Sequence, residues 1–320
     1  MLKNRGLFFL ITLLAASAVE TTQAITIDTV TIGNAGNVAD TRVMDDGTTG
    51  YGSVAYNYNI GKYEVTAGQY TAFLNAVAAT DTYGLYNGYM ADTYGCQIQQ
   101  TGDSGSYVYS VAADYANRPV NYVSWGDAVR FANWLHNGQP TGAEDLSTTE
   151  DGAYYLNGAT TNEALMAVSR ETDWKWAITS EDEWYKAAYY KGEGLYSLYA
   201  NGTDVAPVAG TDANYDDVIG HTWDGTTDGD LEQNGTKDMM GNIGEWNEAI
   251  IRGSTRGRRG GVWYGPLGLC ASRRPFSRSM VPTYESYNTG FRVVSVPEPS
   301  SIALLFSVAV AGLIGWRRRK

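Results

Sequence analysis

The chain has 320 residues, 43% of them hydrophobic, and a formal net charge of −12. So acidic a protein is a poor partner for nucleic acid, whose binding rests on neutralising phosphates. With only two histidines a three-histidine metal centre cannot form within one chain, and 37 glycines and 24 tyrosines point to a loop-rich fold with buried aromatics, not a helical bundle.

Residues 1–24 read as a secretory signal. Lys3 and Arg5 precede an apolar run from Leu7 to Ala16, and Thr22-Gln-Ala24 supplies a small-residue exit. The segment after it alternates over 29–32 and again over 54–58, which predicts strands. Thr66 is a good N-cap for a helix over 67–79 with Tyr70, Phe73, Leu74 and Val77 on one face. Residues 80–117 read as irregular, with a hairpin expected at 107–112.

Ser124 and Asp127 resemble a capping box for a helix over 125–136, ended by Gly138. Residues 138–170 read as a long loop with a short hairpin at 153–156. A strand over 174–180 leads to a second box, Ser180 with Glu183, and a helix through Lys191. Residues 192–237 are again loop, dense in Asp, Asn and Gly. No internal repeat or linker interrupts 25–295, so the expectation is one α+β domain between two processing segments.

The second processing segment is 296–320. Val296-Pro-Glu-Pro-Ser300 precedes an apolar run from Ile302 to Trp316 and the terminal Arg317-Arg-Arg-Lys320. About fifteen residues are short for a spanning helix, and the basic cluster would hold the end on the cytoplasmic side. The order of these three parts resembles the PEP-CTERM sorting signal. That resemblance implies export to the cell surface or extracellular space, a transient membrane anchor and removal by an exosortase; an ordinary tail anchor is the alternative.

Six motifs follow one another in the body: Gly61-Lys-Tyr-Glu-Val-Thr66, Arg118-Pro-Val-Asn-Tyr-Val-Ser-Trp125, Ala177-Ile-Thr-Ser-Glu-Asp-Glu-Trp184, Gly241-Asn-Ile-Gly-Glu-Trp246, Arg259-Gly-Gly-Val-Trp263 and Gly290-Phe-Arg-Val-Val294. Together they resemble the formylglycine-generating enzyme, or sulfatase-modifying factor, family. The resemblance implies a variant C-type-lectin-like fold with little regular secondary structure, long Gly/Asp-rich loops and bound calcium. Founding members oxidise a sulfatase cysteine to formylglycine with molecular oxygen and a copper ion on two cysteines. Other relatives are oxygen-dependent iron enzymes or have no known catalysis.

Calcium takes oxygen ligands, many of them backbone carbonyls in tight turns. By resemblance, Asp238 and Glu245 would supply side-chain oxygens and Gly241 and Ile243 backbone oxygens; otherwise the stretch is a polar turn before a strand. A second site would draw on Asn214 and Tyr215, with Asp228 and Asp230 from the acidic loop. Copper(I) wants thiolates. Laid on the family pattern, the second copper cysteine falls on Cys270 and the first on Gly265. The family's Ser falls on Val262 and its Trp on Gly244. Copper is therefore not expected.

Cys270 is either a reactive thiol, activated by Arg273 and Arg274, or a buried or Cys96-bonded residue. The arginines from Arg252 to Arg259 are expected to pair with carboxylates. His136 falls at a helix end and His221 in the acidic loop. Two functions stay open: a calcium-stabilised, non-catalytic module binding a protein or polysaccharide ligand, and an oxygen-dependent oxidase acting on exported proteins.

Overall fold

The computed structural model describes residues 24–273 and 279–297. The expected signal over 1–24, all but its last residue, residues 274–278 with Arg274, and the tail beyond 297 lie outside the described residues.

Three helices begin where side chains satisfy their first free N–H groups. Thr66, Ser124 and Ser180 each accept a hydrogen bond from the N3 amide, and Gln69, Asp127 and Glu183 answer back to the cap. These open α1 (Ala67–Val77) and α2 (Trp125–His136), and, after α3 (Asn162–Ala167), α4 (Glu181–Tyr189). The Phe73 ring packs against Phe131 and Trp134, each 5.3 Å away, joining α1 to α2, and Phe291 stands 5.4 Å from Phe131.

Two sheets flank this aromatic core. β1 (Thr29–Ile32), β2 (Tyr58–Gly61), β11 (Val293–Ser295) and β5 (Trp176–Ile178) form an antiparallel sheet in that order. The second sheet runs β10 (Thr289–Phe291), β8 (Gly244–Ile251), β9 (Thr255–Arg259). β10 lies parallel to β8, and β9 lies antiparallel to it with a bulge after Trp246. Two hairpins complete the set: β3 (Ile98–Thr101) with β4 (Val108–Val111), and β6 (Tyr190–Gly192) with β7 (Leu195–Tyr196).

Several expected elements move. The strand expected over 54–58 starts at Tyr58, because Val54 bonds to the Asn37 side chain and to Gly36 instead of to a strand. The hairpin expected at 107–112 is wider, and only its second strand lies there. No hairpin forms at 153–156: the Asn133 amide on α2 accepts from Tyr154 N and donates to Tyr154 O, at 2.9 and 2.8 Å. The helix expected to reach Lys191 stops at Tyr189, since Tyr190 turns extended and enters β6. α3 falls in a stretch read as loop.

Arg292 sits at the one position between β10 and β11, where the chain leaves one sheet for the other. Its guanidinium donates to the carbonyls of Gly61, Lys62 and Lys237 and to both oxygens of Glu245 on β8. One buried cation therefore ties the two sheets and the loop before β8 together.

Candidate functional site

Glu245 is fully buried, and its carboxylate is fully engaged. Oε1 accepts from Arg292 Nη2 at 2.8 Å, while Oε2 accepts from Arg292 Nε at 3.0 Å and from Trp184 Nε1 at 2.8 Å. A two-pronged, charge-assisted pair of this kind compensates the cost of burying both charges. The Arg292 guanidinium is held well above the usual arginine range, with Glu245 outweighing the effect of burial.

Asp238 faces elsewhere. Its backbone is left-handed, with φ +64°. Oδ1 accepts from Trp223 Nε1 at 2.7 Å, and Oδ2 is buried with no hydrogen-bond partner. Burial pushes the Asp238 carboxyl up to about 7. Glu64, which no sequence reading singled out, faces the same space: a Cβ on Gly225 would stand 2.4 Å from Asp238 Oδ2 and 3.6 Å from Glu64 Oε2. The Glu64 carboxyl is also raised, by burial first and then by Asp238. Glu232, buried nearby, is pushed up to about 8 by burial, and the Asp238 charge adds to it.

The two groups expected to bind separate calcium ions are brought together in part. Asn214 and Gly241 form a parallel bridge, Asn242 N donates to Asn214 O at 2.8 Å, and Asn214 Nδ2 donates to Asn242 Oδ1. A Cβ on Gly241 would lie 2.0 Å from Asn214 O, so only glycine fits there, and its φ of +91° suits glycine as well. Asn214 Oδ1 is buried without a partner. Ile243 is buried beside them, and the Tyr215 hydroxyl donates to Pro207 O. Asp228 and Asp230 line a cavity of about 450 Å³ with Asp114, Arg118 and His221, bordered by Trp223, whose indole donates to Asp238.

After β9 the Gly260-Gly261 turn carries the chain to Trp263 and a short 3-10 turn, Leu267–Cys270. The chain here encloses a pocket of about 250 Å³, walled by Arg258, Val262, Tyr264, Gly265, Pro266, Leu269 and Asn288. Cys270 is absent from that wall. It is fully buried and free, with Sγ 3.1 Å from where a Gly261 Cβ would stand. Burial drives its thiol far above the usual range, and Glu232 and Asp216 push the same way. Of the two alternatives for this thiol the structure shows the buried one: Arg273 lies 4.0 Å from Asp45, and Arg274 is outside the described residues. Cys96 is likewise free and buried, its thiol pushed up to about 11, so the two cysteines are not bonded to each other.

The departures from the family pattern meet at this pocket. A Cβ on Gly265 would lie 2.8 Å from Leu269 Cδ1 and 3.0 Å from Val262 Cγ2, so aliphatic carbon occupies the space of a side chain there. A Cβ on Gly244 would lie 3.2 Å from Arg258 Nη2: the guanidinium has moved in where the family has a Trp. Arg258 donates to Thr289 Oγ1 and Asn288 Oδ1. Of the arginines expected to pair with carboxylates, Arg259 does, with Glu181, whereas Arg256 donates to the carbonyls of Glu248, Leu165 and Val168 over the Trp125 ring. His136 ends α2 as expected and accepts from Lys175 N.

Beside the pocket lies a cluster of rings from distant segments that no motif announced: Tyr94, Trp263, Tyr264 and Tyr287. The abundance of tyrosine was the only signal for it.

The family model for the sulfatase-modifying factor enzyme 1-like domain matches residues 16–296, and that for the PEP-CTERM protein-sorting motif matches 295–320. Comparison with curated proteins gives no match. Among solved structures the chain is similar to CarF, with 22% identity, a TM-score of 0.58 and 86% of this chain and 100% of that one covered. It is also similar to Treponema denticola variable protein 1, at 19% identity and TM-score 0.55 over 87% and 98% of the two chains. The third is PvdO from Pseudomonas aeruginosa, at 18% identity and TM-score 0.52 over 84% and 94%. At these identities the likeness is one of fold. The sorting motif marks the chain for the cell envelope and for processing by an exosortase. The fold, the six ordered motifs and the matched span together place the chain in the sulfatase-modifying factor enzyme 1-like family.

Proposed function

We propose that this family member is exported and serves as a binding module at the cell surface or in the extracellular matrix, without copper-dependent oxidation. The observation that carries the reading is the pocket wall. Gly265, where the first copper cysteine would stand, is packed against Leu269 and Val262, and the Cys270 thiol lies behind the pocket. A single buried, protonated thiol is a poor seat for copper(I). The charged start and apolar run before residue 24 support export with loss of that segment.

Calcium belongs to the same proposal, as a stabiliser of the framework. Asp238 Oδ2 and Asn214 Oδ1, both buried and unpartnered, are the oxygens that fit a cation. Gly241 and Ile243 would add backbone oxygens, while Glu245 is engaged by Arg292. The alternative, an oxygen-dependent oxidase, draws its support from family membership.

Copper(I) titration together with aldehyde formation on a cysteine-containing sulfatase peptide decides between them. The expected result is no copper uptake and no aldehyde. Aldehyde formation that Cys270→Ser abolishes would overturn the binding-module reading. For calcium, a melting temperature unmoved by chelator in both the parent and Asp238→Ala would remove that part of the proposal.

A further inference from the structure

We propose that the aromatic face beside the pocket binds an uncharged polysaccharide, its pyranose rings laid on the faces of Tyr94, Tyr264 and Tyr287. This inference rests on the binding-module reading of the same site.

Four rings form the platform. Tyr94 lies nearly parallel to Trp263, 6.3 Å between centroids at 17°, and 5.8 Å from Tyr287. Tyr264 stands 4.9 Å from Trp263 and 5.6 Å from Tyr287. A second stacked pair, Tyr89 on Tyr122 at 5.7 Å, is joined to the segment of Tyr287 by Tyr122 N, which donates to Ser286 O at 2.9 Å. Tyr94 is 59% exposed and Tyr89 61%. Tyr264, Tyr287, Tyr122 and Tyr284 are half-buried, and Trp263 is the buried floor on which Tyr94 and Tyr264 pack; exposed rings gathered at one place mark a binding site.

The platform is held rigid from beneath. Asn121 is buried, and its amide donates to Tyr94 O at 2.7 Å and to Tyr287 O at 3.0 Å, while its oxygen accepts from Cys96 N. One side chain thus fixes the backbones of two rings more than 190 residues apart in sequence. Asn288 donates to the Tyr264 hydroxyl, which hydrogen-bonds in turn to Tyr287. Preorganised rings lose little entropy when a ligand settles on them.

The chemistry of the face selects the ligand. A ring face is electron-rich and attracts the slightly positive C–H groups on one side of a sugar. Phenol hydroxyls at the ring edges meet its hydroxyls, and the pocket of about 250 Å³ beside Tyr264 takes a single ring or branch. The platform residues are uncharged on a protein of net charge −12, so a neutral chain approaches without the repulsion an acidic polymer would meet.

The test uses the full chain in mild detergent and an array of neutral oligosaccharides of gluco, galacto and manno configuration, with oligogalacturonate as the acidic comparison. Binding of at least one neutral oligomer is expected, with Trp263 fluorescence changing on saturation. Tyr94→Ala and Tyr287→Ala should each weaken it roughly fivefold to tenfold, while Tyr155→Ala, exposed in the 153–156 segment, should leave it unchanged. No binding to any neutral oligomer, binding confined to the acidic one, or binding indifferent to Tyr94 and Tyr287 would overturn the inference. Copper(I) titration of the same sample separates the two readings. A failure of glycan binding without copper uptake removes the glycan alone, whereas copper uptake with aldehyde formation removes the binding module.

Discussion

The two faces of the β8–β9 ladder are built differently. In register, Glu245 opposes Arg259 and Trp246 opposes Arg258. Because side chains alternate along a strand, Glu245 and Arg259 project to one side, into ion pairs with Arg292 and Glu181. Gly244, Trp246 and Arg258 fall on the other, where Arg258 lines the pocket and Trp246 Nε1 donates to Val123 O. The first side is closed by these buried charge pairs. Beside the second, Val262 and Gly265 wall the pocket together with Arg258, at positions where the resemblance leads one to expect other residues. A fold can hold its framework while the chemistry on one of its faces is replaced, because the framework depends on buried charge pairs and the pocket on surface shape.

The sharpest way to break this contrast is Glu245→Ala. It leaves the Arg292 charge buried without its carboxylate and should cost about 3–5 kcal/mol in urea unfolding. A loss below ~1 kcal/mol would mean that the pair is not the tie between the sheets. Next comes Gly241→Ala, which puts a Cβ into Asn214 O at a positive φ; a loss of roughly 2–3 kcal/mol is expected from the same measurement.

The acid cluster should make stability depend on pH. Asp238 and Glu232 have folded-state values raised to about 7 and about 8, above their unfolded values. The folded state therefore holds more protons than the unfolded state between about pH 4 and pH 8, and stability falls as pH rises through that window. Melting in chelator should show this, with a loss on the order of 2 kcal/mol between pH 5 and pH 8, and Asp238→Asn should flatten it. A melting temperature that climbs over the same range would contradict the assignment.

On the pocket face the effects shrink. Gly265→Cys restores the missing thiol but overpacks Leu269 and Val262, so a cost of about 1–2 kcal/mol without copper(I) binding is expected; tight copper binding by this variant would show the face to be only one residue from activity. Smallest of all, Arg273→Ala should change neither stability nor the reactivity of Cys270, which should label with a thiol reagent only after unfolding. Rapid labelling of the native protein would reverse the account of a buried thiol.

Much of the framework was legible because its signals are local. A Ser or Thr with an answering Gln, Asp or Glu three residues on closes a hydrogen-bonded cap within one turn, so helix starts at 67, 125 and 181 follow from a few letters. Helix ends and strand limits were less legible, because they depend on competitors elsewhere in the chain. Asn133 captures Tyr154, and Asn37 captures Val54, from far outside the local window. At the site, the sequence located the pocket loop and the missing cysteine. It paired Asp238 with Glu245, although Glu245 turns to Arg292 and Asp238 faces Glu64.

The sequence by itself determined the family, the capped helices and the sorting motif, since each is written in neighbouring residues or in an ordered set of motifs. Only the tertiary structure decided which carboxylate meets which cation, that Cys270 lies behind the pocket, and that Tyr94 joins Trp263, Tyr264 and Tyr287 on one face. These are contacts between segments far apart in the chain, and burial and electrostatics act on distance in space, which neither spacing nor composition records.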